Sequence, residues 1–183
     1  MATDTAPQEQ THETEVAIIG CGPAGATLAN LLGVCGVSVL LLEREGAVYP
    51  LPRAVHFDDE VMRVIQTTGL VEPILPHTRV SPGMRFVDAQ GRLLLDWSRP
   101  MEVGPQGWNA SYRFHQPDLE RILREGAEAK PSVKILLRSE VFAIRQDNEG
   151  AQVEYEDLPA APSNPAGPDT WWAAMARAPW YGV

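Results

Sequence analysis

The stretch that decides the fold lies near the start of the chain and reads Val16-Ala17-Ile18-Ile19-Gly20-Cys21-Gly22-Pro23-Ala24-Gly25. Four apolar residues come first, a cluster of glycines interrupts them, and a helix-like pattern follows at once. This order predicts a strand, a tight turn and a helix. Such an arrangement holds the pyrophosphate of a dinucleotide at the N-terminus of the helix.

Each residue type in the turn suits this task. Gly20 permits the tight turn, Gly22 leaves no side chain between the backbone and the phosphates, and Gly25 lets the helix approach the strand closely. Pro23 and Ala24 begin the helix, whose free N–H groups and partial positive charge favour an anion. We therefore predict that these five residues bind the cofactor.

A second apolar segment supplies the acidic partner of the glycine turn. Residues 37–42 are predicted to form a strand, and Glu43 follows directly. A carboxylate at this point can accept hydrogen bonds from a ribose diol. Because strand, turn, helix and acid occur in the required order, the pattern favours dinucleotide binding over a purely structural turn.

Length and composition indicate a globular protein. The 183 residues can bury a core of their own, and 44% are hydrophobic and 21% charged. The net charge of −9 argues against a nucleic-acid or anionic-membrane partner. No apolar run approaches the roughly 20 residues of a membrane span. Residues 1–14 lack the apolar region of a signal peptide, so we expect a disordered lead-in and a cytoplasmic protein.

The cysteines and histidines give no sign of a metal site, because none has the paired spacing of metal ligands. They are Cys21, Cys35, His12, His56, His77 and His115. Both cysteines are expected to be reduced and to act as small packing residues.

The remaining pattern predicts an α/β protein with a Rossmann-like βαβ fold. Predicted helices cover residues 23–35, 58–68 and 117–129; predicted strands cover 16–19, 37–42, 133–137, 141–145 and 151–155; a hairpin joins 84–87 to 93–97. In the second helix, the predicted apolar face consists of Val61, Met62, Val64 and Ile65. The near-continuous apolar strands 16–19, 37–42 and 133–137 are expected to pair in parallel and to be buried on both faces. Residues 141–155 are expected to form an antiparallel crossover hairpin.

With these pieces in place, the chain resembles the flavoprotein aromatic hydroxylases, the single-component FAD-dependent monooxygenases. The resemblance covers about residues 16–157. It is carried by the glycine turn, Leu42-Glu43-Arg44, Pro52-Arg53-Ala54, Asp58-Asp59-Glu60, Gly69-Leu70-Val71, Leu75-Pro76-His77-Thr78, Met84-Arg85-Phe86, Gly91-Arg92 and Gln116-Pro117-Asp118-Leu119-Glu120.

The resemblance implies FAD as cofactor, NADH or NADPH as electron donor, and O₂ with a small aromatic substrate, a phenolic acid such as 3-(3-hydroxyphenyl)propionate. It places Arg53 against the flavin nucleotide, where a guanidinium suits phosphate oxygens, and Gln116 near the ribose or pyrophosphate. Gln116 could alternatively cap the helix that it precedes. Arg44 is either a contact at the adenosine end or a solvated charge.

Two other readings of the sequence stay open. One is an NAD-dependent dehydrogenase that uses the same glycine fingerprint, and the other is a non-catalytic nucleotide-binding fragment. The family's later flavin motifs contain Cys-Asp-Gly and Gly-Asp-Ala, yet no Asp-Gly or Gly-Asp pair occurs in this sequence. We therefore predict that residues 15–157 are the N-terminal part of an FAD-binding domain, name no catalytic residue, and expect this chain to be inactive alone.

Residues 158–183 differ in texture from the rest, because they are first Pro- and Ala-rich and then Trp-rich. A shifted reading frame explains the change. With suitable synonymous codons, residues 171–183 read Val-Val-Gly-Cys-Asp-Gly-Ala-Arg-Pro-Val-Val-Arg-Arg, which contains the missing motif. The unambiguous Trp and Met codons alone dictate its Val-Gly pair and a following Gly. The competing hypothesis is a native tail that docks on a partner.

Overall fold

The computed structural model describes residues 11–148 and 150–159. Its helices are α1 (Pro23–Val34), α2 (Asp59–Thr68), α3 (Val71–Ile74) and α4 (Gln116–Glu128), and a 3₁₀ turn covers Leu75–His77. Its strands are β1 (Val16–Ile19), β2 (Val39–Glu43), β3 (His56–Phe57), β4 (Thr78–Val80), β5 (Gly83–Val87), β6 (Leu93–Ser98), β7 (Tyr112–Phe114), β8 (Val133–Leu137), β9 (Ser139–Gln146) and β10 (Ala151–Asp157).

A three-stranded parallel sheet in the order β1-β2-β8 carries the glycine turn at one of its ends. The predicted parallel pairing of these three strands is confirmed. Burial on both faces, however, holds only for the central strand β2, whose residues 39–42 are all buried. Ile19 in β1 is 51% exposed and Leu137 in β8 is 38% exposed, because each flanking strand has only one neighbouring strand among the described residues.

Helices α1 and α4 pack against each other beside this sheet. Ala26 and Ala29 of α1 are fully buried, and their small side chains allow a close approach to Leu123 and Ala127 of α4. The fully buried Asn30 joins the two helices through a hydrogen bond from its Nδ2 to the Leu123 carbonyl at 2.7 Å. Because a buried amide must be satisfied, this contact fixes the relative position of the helices.

Helix α2 has the predicted boundaries and half of the predicted apolar face. The side chain of Asp58 caps it by accepting a hydrogen bond from the backbone N–H of Val61 at 3.0 Å. Met62 and Ile65 are buried, but Val61 and Val64 are 42% and 40% exposed, so including them in the core face was wrong. Met62 and Ile65 lie about one helical turn apart and so share a face. Val61 and Val64 each precede one of them by one residue, so their side chains point about 100° away from that face.

The antiparallel parts of the fold lie around the parallel sheet. Hairpin β5–β6 and hairpin β9–β10 are both confirmed, with strands one or two residues longer than predicted at individual ends. The three-stranded sheet β3-β7-β4 was not predicted. Its strands are two or three residues long, which is too short for an alternating pattern to appear in sequence.

Within the described part of the chain, no helix combines the length and apolar character needed to cross a membrane. The predicted lead-in and the predicted tail lie mostly outside the described residues, since only residues 11–14 of the first and 158–159 of the second belong to them.

Candidate functional site

The glycine turn connects β1 to α1 in the predicted manner. Gly20 has φ = 98°, a left-handed backbone conformation that favours glycine, and its N–H donates to the Leu42 carbonyl at 2.7 Å. Gly22 is the N-cap of α1, where no side chain caps the helix, and Pro23 opens the first turn. Among the described residues, no side chain caps the N-terminal N–H groups of this helix.

Gly25 and Gly22 have opposite surroundings. A Cβ atom built on Gly25 would collide with the carbonyl oxygen of Gly20 and lie 3.3 Å from a methyl carbon of Ile18. A Cβ atom built on Gly22 would meet nothing within 4 Å, and Gly22 has an ordinary φ of −74°. The fold itself requires glycine at position 25, whereas at position 22 it leaves open space.

The carboxylate of Glu43 faces this turn from the end of β2. Its Oε2 accepts a hydrogen bond from the backbone N–H of Cys21 at 2.7 Å, and its Oε1 accepts one from the N–H of Glu45 at 2.8 Å. A carboxylate has about four acceptor positions, so both oxygens retain capacity for a ribose hydroxyl. The structure thus brings Glu43 and the glycine turn together.

Arg124 of α4 is a member of this site that the sequence analysis missed. Its Nε donates to the Cys21 carbonyl at 3.1 Å, and its terminal Nη2 lies 3.9 Å from Glu43 Oε2. The residue is only 9% exposed, and it is separated from the turn by about a hundred positions in sequence. The second distance is a charge contact rather than a hydrogen bond.

Cys21 is fully buried between these groups. Burial raises the pKa of its thiol to about 11; Arg124 opposes this shift and Glu43 adds to it. The thiol therefore stays protonated at neutral pH and acts as the predicted packing residue. Cys35, in contrast, is exposed at the C-cap of α1, so its assignment as a packing residue was wrong.

Gln116 binds the Arg53 loop rather than capping α4. Its Oε1 accepts hydrogen bonds from the backbone N–H groups of Arg53 and Ala54 at 2.7 and 2.6 Å. Its Nε2 donates to Glu120 Oε1 at 2.6 Å, and the N-cap position belongs to His115. Both ends of the amide are engaged, which leaves one N–H of Gln116 for a ligand.

Helix α4 therefore carries a buried polar stripe formed by Gln116, Glu120 and Arg124, which are four residues apart and share one face. Gln116 reaches the Arg53 loop and Arg124 reaches the glycine turn, so one helix positions both parts of the candidate site. The sequence contained a signal for this stripe, because three polar residues spaced four apart lie next to the apolar residues Leu119 and Leu123.

The two remaining predicted residues lie at the surface. The guanidinium carbon of Arg53 is 5.2 Å from the ring centre of Tyr49, and the side chain is exposed. Arg44 forms ion pairs with Glu45 at 3.3 Å and with Glu140 at 4.0 Å, and its side chain is also exposed. The described contacts do not join either guanidinium to the glycine turn.

Comparison with known proteins identifies the family. Residues 13–161 match the FAD binding domain family. Over 139 residues the chain is 40% identical to a 3-(3-hydroxy-phenyl)propionate/3-hydroxycinnamic acid hydroxylase of Klebsiella pneumoniae (strain 342), covering 76% of this chain and 25% of that protein. The protein of the same name from Paraburkholderia xenovorans (strain LB400) is 38% identical over 148 residues, covering 81% of this chain and 24% of that protein. The chain thus spans about a quarter of the length of these curated relatives.

The fold gives the same result. The chain superimposes on pqsL, a probable FAD-dependent monooxygenase from Pseudomonas aeruginosa, with a TM-score of 0.62 and 26% identity. The match covers 78% of this chain and 38% of that structure. These findings favour FAD over the NAD-dependent dehydrogenase alternative. The chain therefore belongs to the FAD binding domain family, and its cofactor is FAD.

Proposed function

We propose that this chain holds the ADP half of FAD in a Rossmann-like βαβ unit. The observation that carries the proposal is the Glu43 carboxylate, which lies 2.7 Å from the backbone of the glycine turn. In this proposal the Glu43 carboxylate accepts hydrogen bonds from the ribose, and the neighbouring N-terminus of α1 binds the pyrophosphate.

The geometry supports the individual roles that we propose for the residues of the turn. Gly20 makes the turn, Gly22 leaves the space for the pyrophosphate, and Gly25 allows α1 to approach the sheet. The helix start at Pro23 and Ala24 supplies backbone N–H groups and a favourable dipole.

Arg53 and Arg44 supply positive charge at the two ends of the bound nucleotide. Gln116 fixes the backbone from which the Arg53 side chain extends, so that this guanidinium can reach phosphate oxygens. Arg44 directly follows Glu43 and joins the adenosine end. It gives up surface ion pairs that contribute little, about 0–1 kcal/mol each.

In the whole protein, FAD would support hydroxylation of a phenolic aromatic acid with O₂ and NADH or NADPH. The names of the two hydroxylase relatives support this substrate class. Bound FAD supplies the redox chemistry, and this part of the protein binds and orients it. We propose a cytoplasmic location, where NAD(P)H is available. Substrate-dependent oxidation of NAD(P)H by this chain alone would distinguish a catalytic unit from a nucleotide-binding fragment.

Calorimetric titration of the full 183-residue chain with ADP, FAD and NADH tests the proposal. We expect ADP and FAD to bind with similar affinity, because the chain grips only the half that they share. Glu43→Gln should weaken both by about tenfold, the effect of one charge-assisted hydrogen bond. Glu154→Gln is the matched control, since the carboxylate of Glu154 pairs with Arg145 within hairpin β9–β10 at 3.1 Å and has no described contact with the site. Binding of neither ADP nor FAD would overturn the proposal.

We further propose that residues 15–157 form a single nucleotide-binding unit and that residues 158–183 are read from a shifted frame. The family match over residues 13–161 supports the first part. The nucleotide sequence of the gene through codon 183 and beyond tests the second. A single-base change that restores Cys-Asp-Gly in frame is the expected result, and an uninterrupted frame with none would contradict it.

A further inference from the structure

Arg124 is a charged residue placed where charges are costly. It is 9% exposed, and a buried cation is tolerated only when it is paired and hydrogen-bonded. Both of its described partners belong to the candidate nucleotide site: the Cys21 carbonyl at 3.1 Å and the Glu43 carboxylate at 3.9 Å. Two nitrogens of one guanidinium thus join the glycine turn to the predicted ribose acceptor.

Other hydrogen bonds already hold α4 against α1, so the packing of the two helices does not require a buried arginine at position 124. Lys130 Nζ donates to Asn30 Oδ1 at 2.9 Å, and Asn30 Nδ2 donates to the Leu123 carbonyl. These contacts already connect α1 with α4 and its C-terminal flank without touching the turn. Arg124 differs from them because its partners are the glycine turn and the predicted ribose acceptor.

The contact with the Cys21 carbonyl fixes a peptide plane. In a trans peptide the C=O of one residue and the N–H of the next point in opposite directions. Because Arg124 draws the Cys21 carbonyl toward α4, the N–H of Gly22 is held on the opposite side, away from that helix. This N–H lies at the N-cap of α1, beside the open space at Gly22.

The contact with Glu43 has an electrostatic consequence. A carboxylate close to a diphosphate repels it, and a guanidinium within 4 Å of that carboxylate offsets the repulsion. Glu43 can then accept ribose hydroxyls while the phosphates bind nearby.

We infer that Arg124 is the positioning residue of this nucleotide site: it sets the Gly22 N–H for the pyrophosphate and the Glu43 carboxylate for the ribose. The inference rests on the proposed function. It does not require Arg124 to touch the cofactor.

The test compares ADP with 2′,3′-dideoxy-ADP in titrations of the full chain, because the ratio of the two affinities measures how well Glu43 is placed. For the wild type we expect ADP to bind about tenfold more tightly than the dideoxy nucleotide, the contribution of hydrogen bonds to a charged acceptor. Arg124→Met should weaken ADP binding by about tenfold or more and bring the ratio close to one.

Two matched control variants distinguish a change in how the nucleotide is positioned from a general loss of protein stability. Arg121→Met removes an exposed arginine of the same helix, whose partner is Glu125 at 3.0 Å, and should change neither affinity nor ratio. Lys130→Met should lower the free energy of unfolding, measured by denaturant titration, while the folded chain keeps the wild-type ratio. Arg124→Lys keeps the charge with a single ammonium, which cannot hold both partners, and should still lower the ratio.

The outcomes are distinguishable. A wild-type ratio in folded Arg124→Met, or in Arg124→Lys if the first variant does not fold, overturns the inference and leaves the proposed function standing. A wild-type chain that binds neither nucleotide overturns both. Loss of the ratio in Arg124 variants alone supports the inference.

Discussion

The side-chain oxygen of Gln116 accepts a hydrogen bond from the backbone N–H of Arg53 at 2.7 Å, across 63 positions of sequence. The same oxygen also receives the N–H of the next residue, Ala54. A loop whose Arg53 and Ala54 side chains are exposed is thus bound through its backbone to Gln116, the buried first residue of α4. Without these hydrogen bonds, the backbone that carries the Arg53 side chain would not be held in place for a contact with a phosphate.

Gln116→Leu should therefore destabilise the protein and weaken FAD binding. The change leaves two loop N–H groups and the buried Glu120 carboxylate without their partner. We expect the free energy of unfolding to fall by about 2–4 kcal/mol, since each unsatisfied buried group costs about 1–3 kcal/mol. Denaturant titration measures the loss.

An exchange of side chains provides the control. Gln116→Glu replaces the amide that donates to Glu120 at 2.6 Å with a second carboxylate, and the repulsion should destabilise the protein. Adding Glu120→Gln restores a donor, because the amide introduced at position 120 can bond the carboxylate introduced at position 116, which still accepts from the loop. Recovery of stability in the double variant is expected; a double variant as unstable as Gln116→Glu would contradict the hydrogen-bond account.

Gly22→Ala and Gly25→Ala should separate ligand binding from folding. A methyl group at position 22 enters open space at an ordinary φ, so we expect stability within about 1 kcal/mol of the wild type. ADP affinity should nevertheless fall by about tenfold, because the methyl occupies the space of the pyrophosphate. Gly22→Val should abolish measurable binding of ADP.

At position 25 we expect the larger effect on stability rather than on ADP binding. The new Cβ collides with the Gly20 carbonyl, so α1 must move off the sheet, at a cost of about 1–3 kcal/mol or more. Thermal unfolding and calorimetry on the same preparations provide both readouts. Equal loss of stability in the two variants would show that the space at Gly22 is not open.

The thiol of Cys21 should make stability depend on alkaline pH. Its pKa is about 11 in the folded chain and 9.0 without the fold. Above pH 9 the Cys21 thiol of the unfolded chain loses its proton, whereas the thiol of the folded chain keeps it up to about pH 11. The contribution of this thiol to stability is therefore complete below pH 9 and is lost as the pH rises to 11. Two pKa units correspond to about 2–3 kcal/mol.

Cys21→Ala isolates this contribution from other groups that titrate at high pH. The difference in unfolding free energy between wild type and variant should shrink from about pH 8 to about pH 11. Mass spectrometry after iodoacetamide treatment at about pH 8 should show modification of exposed Cys35 and none of Cys21. Rapid labelling of Cys21 in the folded chain would contradict its burial.

The full chain should not oxidise NADH or NADPH in response to a phenolic acid. Its sequence contains no Asp-Gly or Gly-Asp pair of the later flavin motifs. The flavin ring would then be held only through the adenosine end and stay in water. Stopped-flow measurement with added FAD and 3-(3-hydroxyphenyl)propionate checks this; substrate-dependent turnover would show a catalytic unit.

Local patterns in the sequence predicted local structure well. The strand predicted over residues 16–19 and the helix predicted over residues 58–68 have boundaries that the structure reproduces within one or two residues. Glu43 faces the glycine turn because the end of β2 lies beside the end of β1 in a parallel pair, so order along the chain was sufficient to predict their meeting.

Contacts between distant segments were harder to predict. Gln116 was expected near the cofactor, but its attachment to the Arg53 backbone depends on how α4 lies across the sheet, which one sequence does not specify. Arg124 was missed because an arginine is usually a surface residue, and its burial becomes evident only once the partners at Cys21 and Glu43 are in place.

The hydrogen bond from Arg124 to the Cys21 carbonyl also bears on when, during folding, the glycine turn becomes rigid. Its two ends are 103 residues apart, so loop closure must bring α4 back to the first strand before the contact exists. During synthesis, β1, α1 and β2 leave the ribosome well before α4 does. We therefore expect the candidate nucleotide site to be completed late in folding, since a nascent chain that ends before Arg124 lacks the contact with the Cys21 carbonyl.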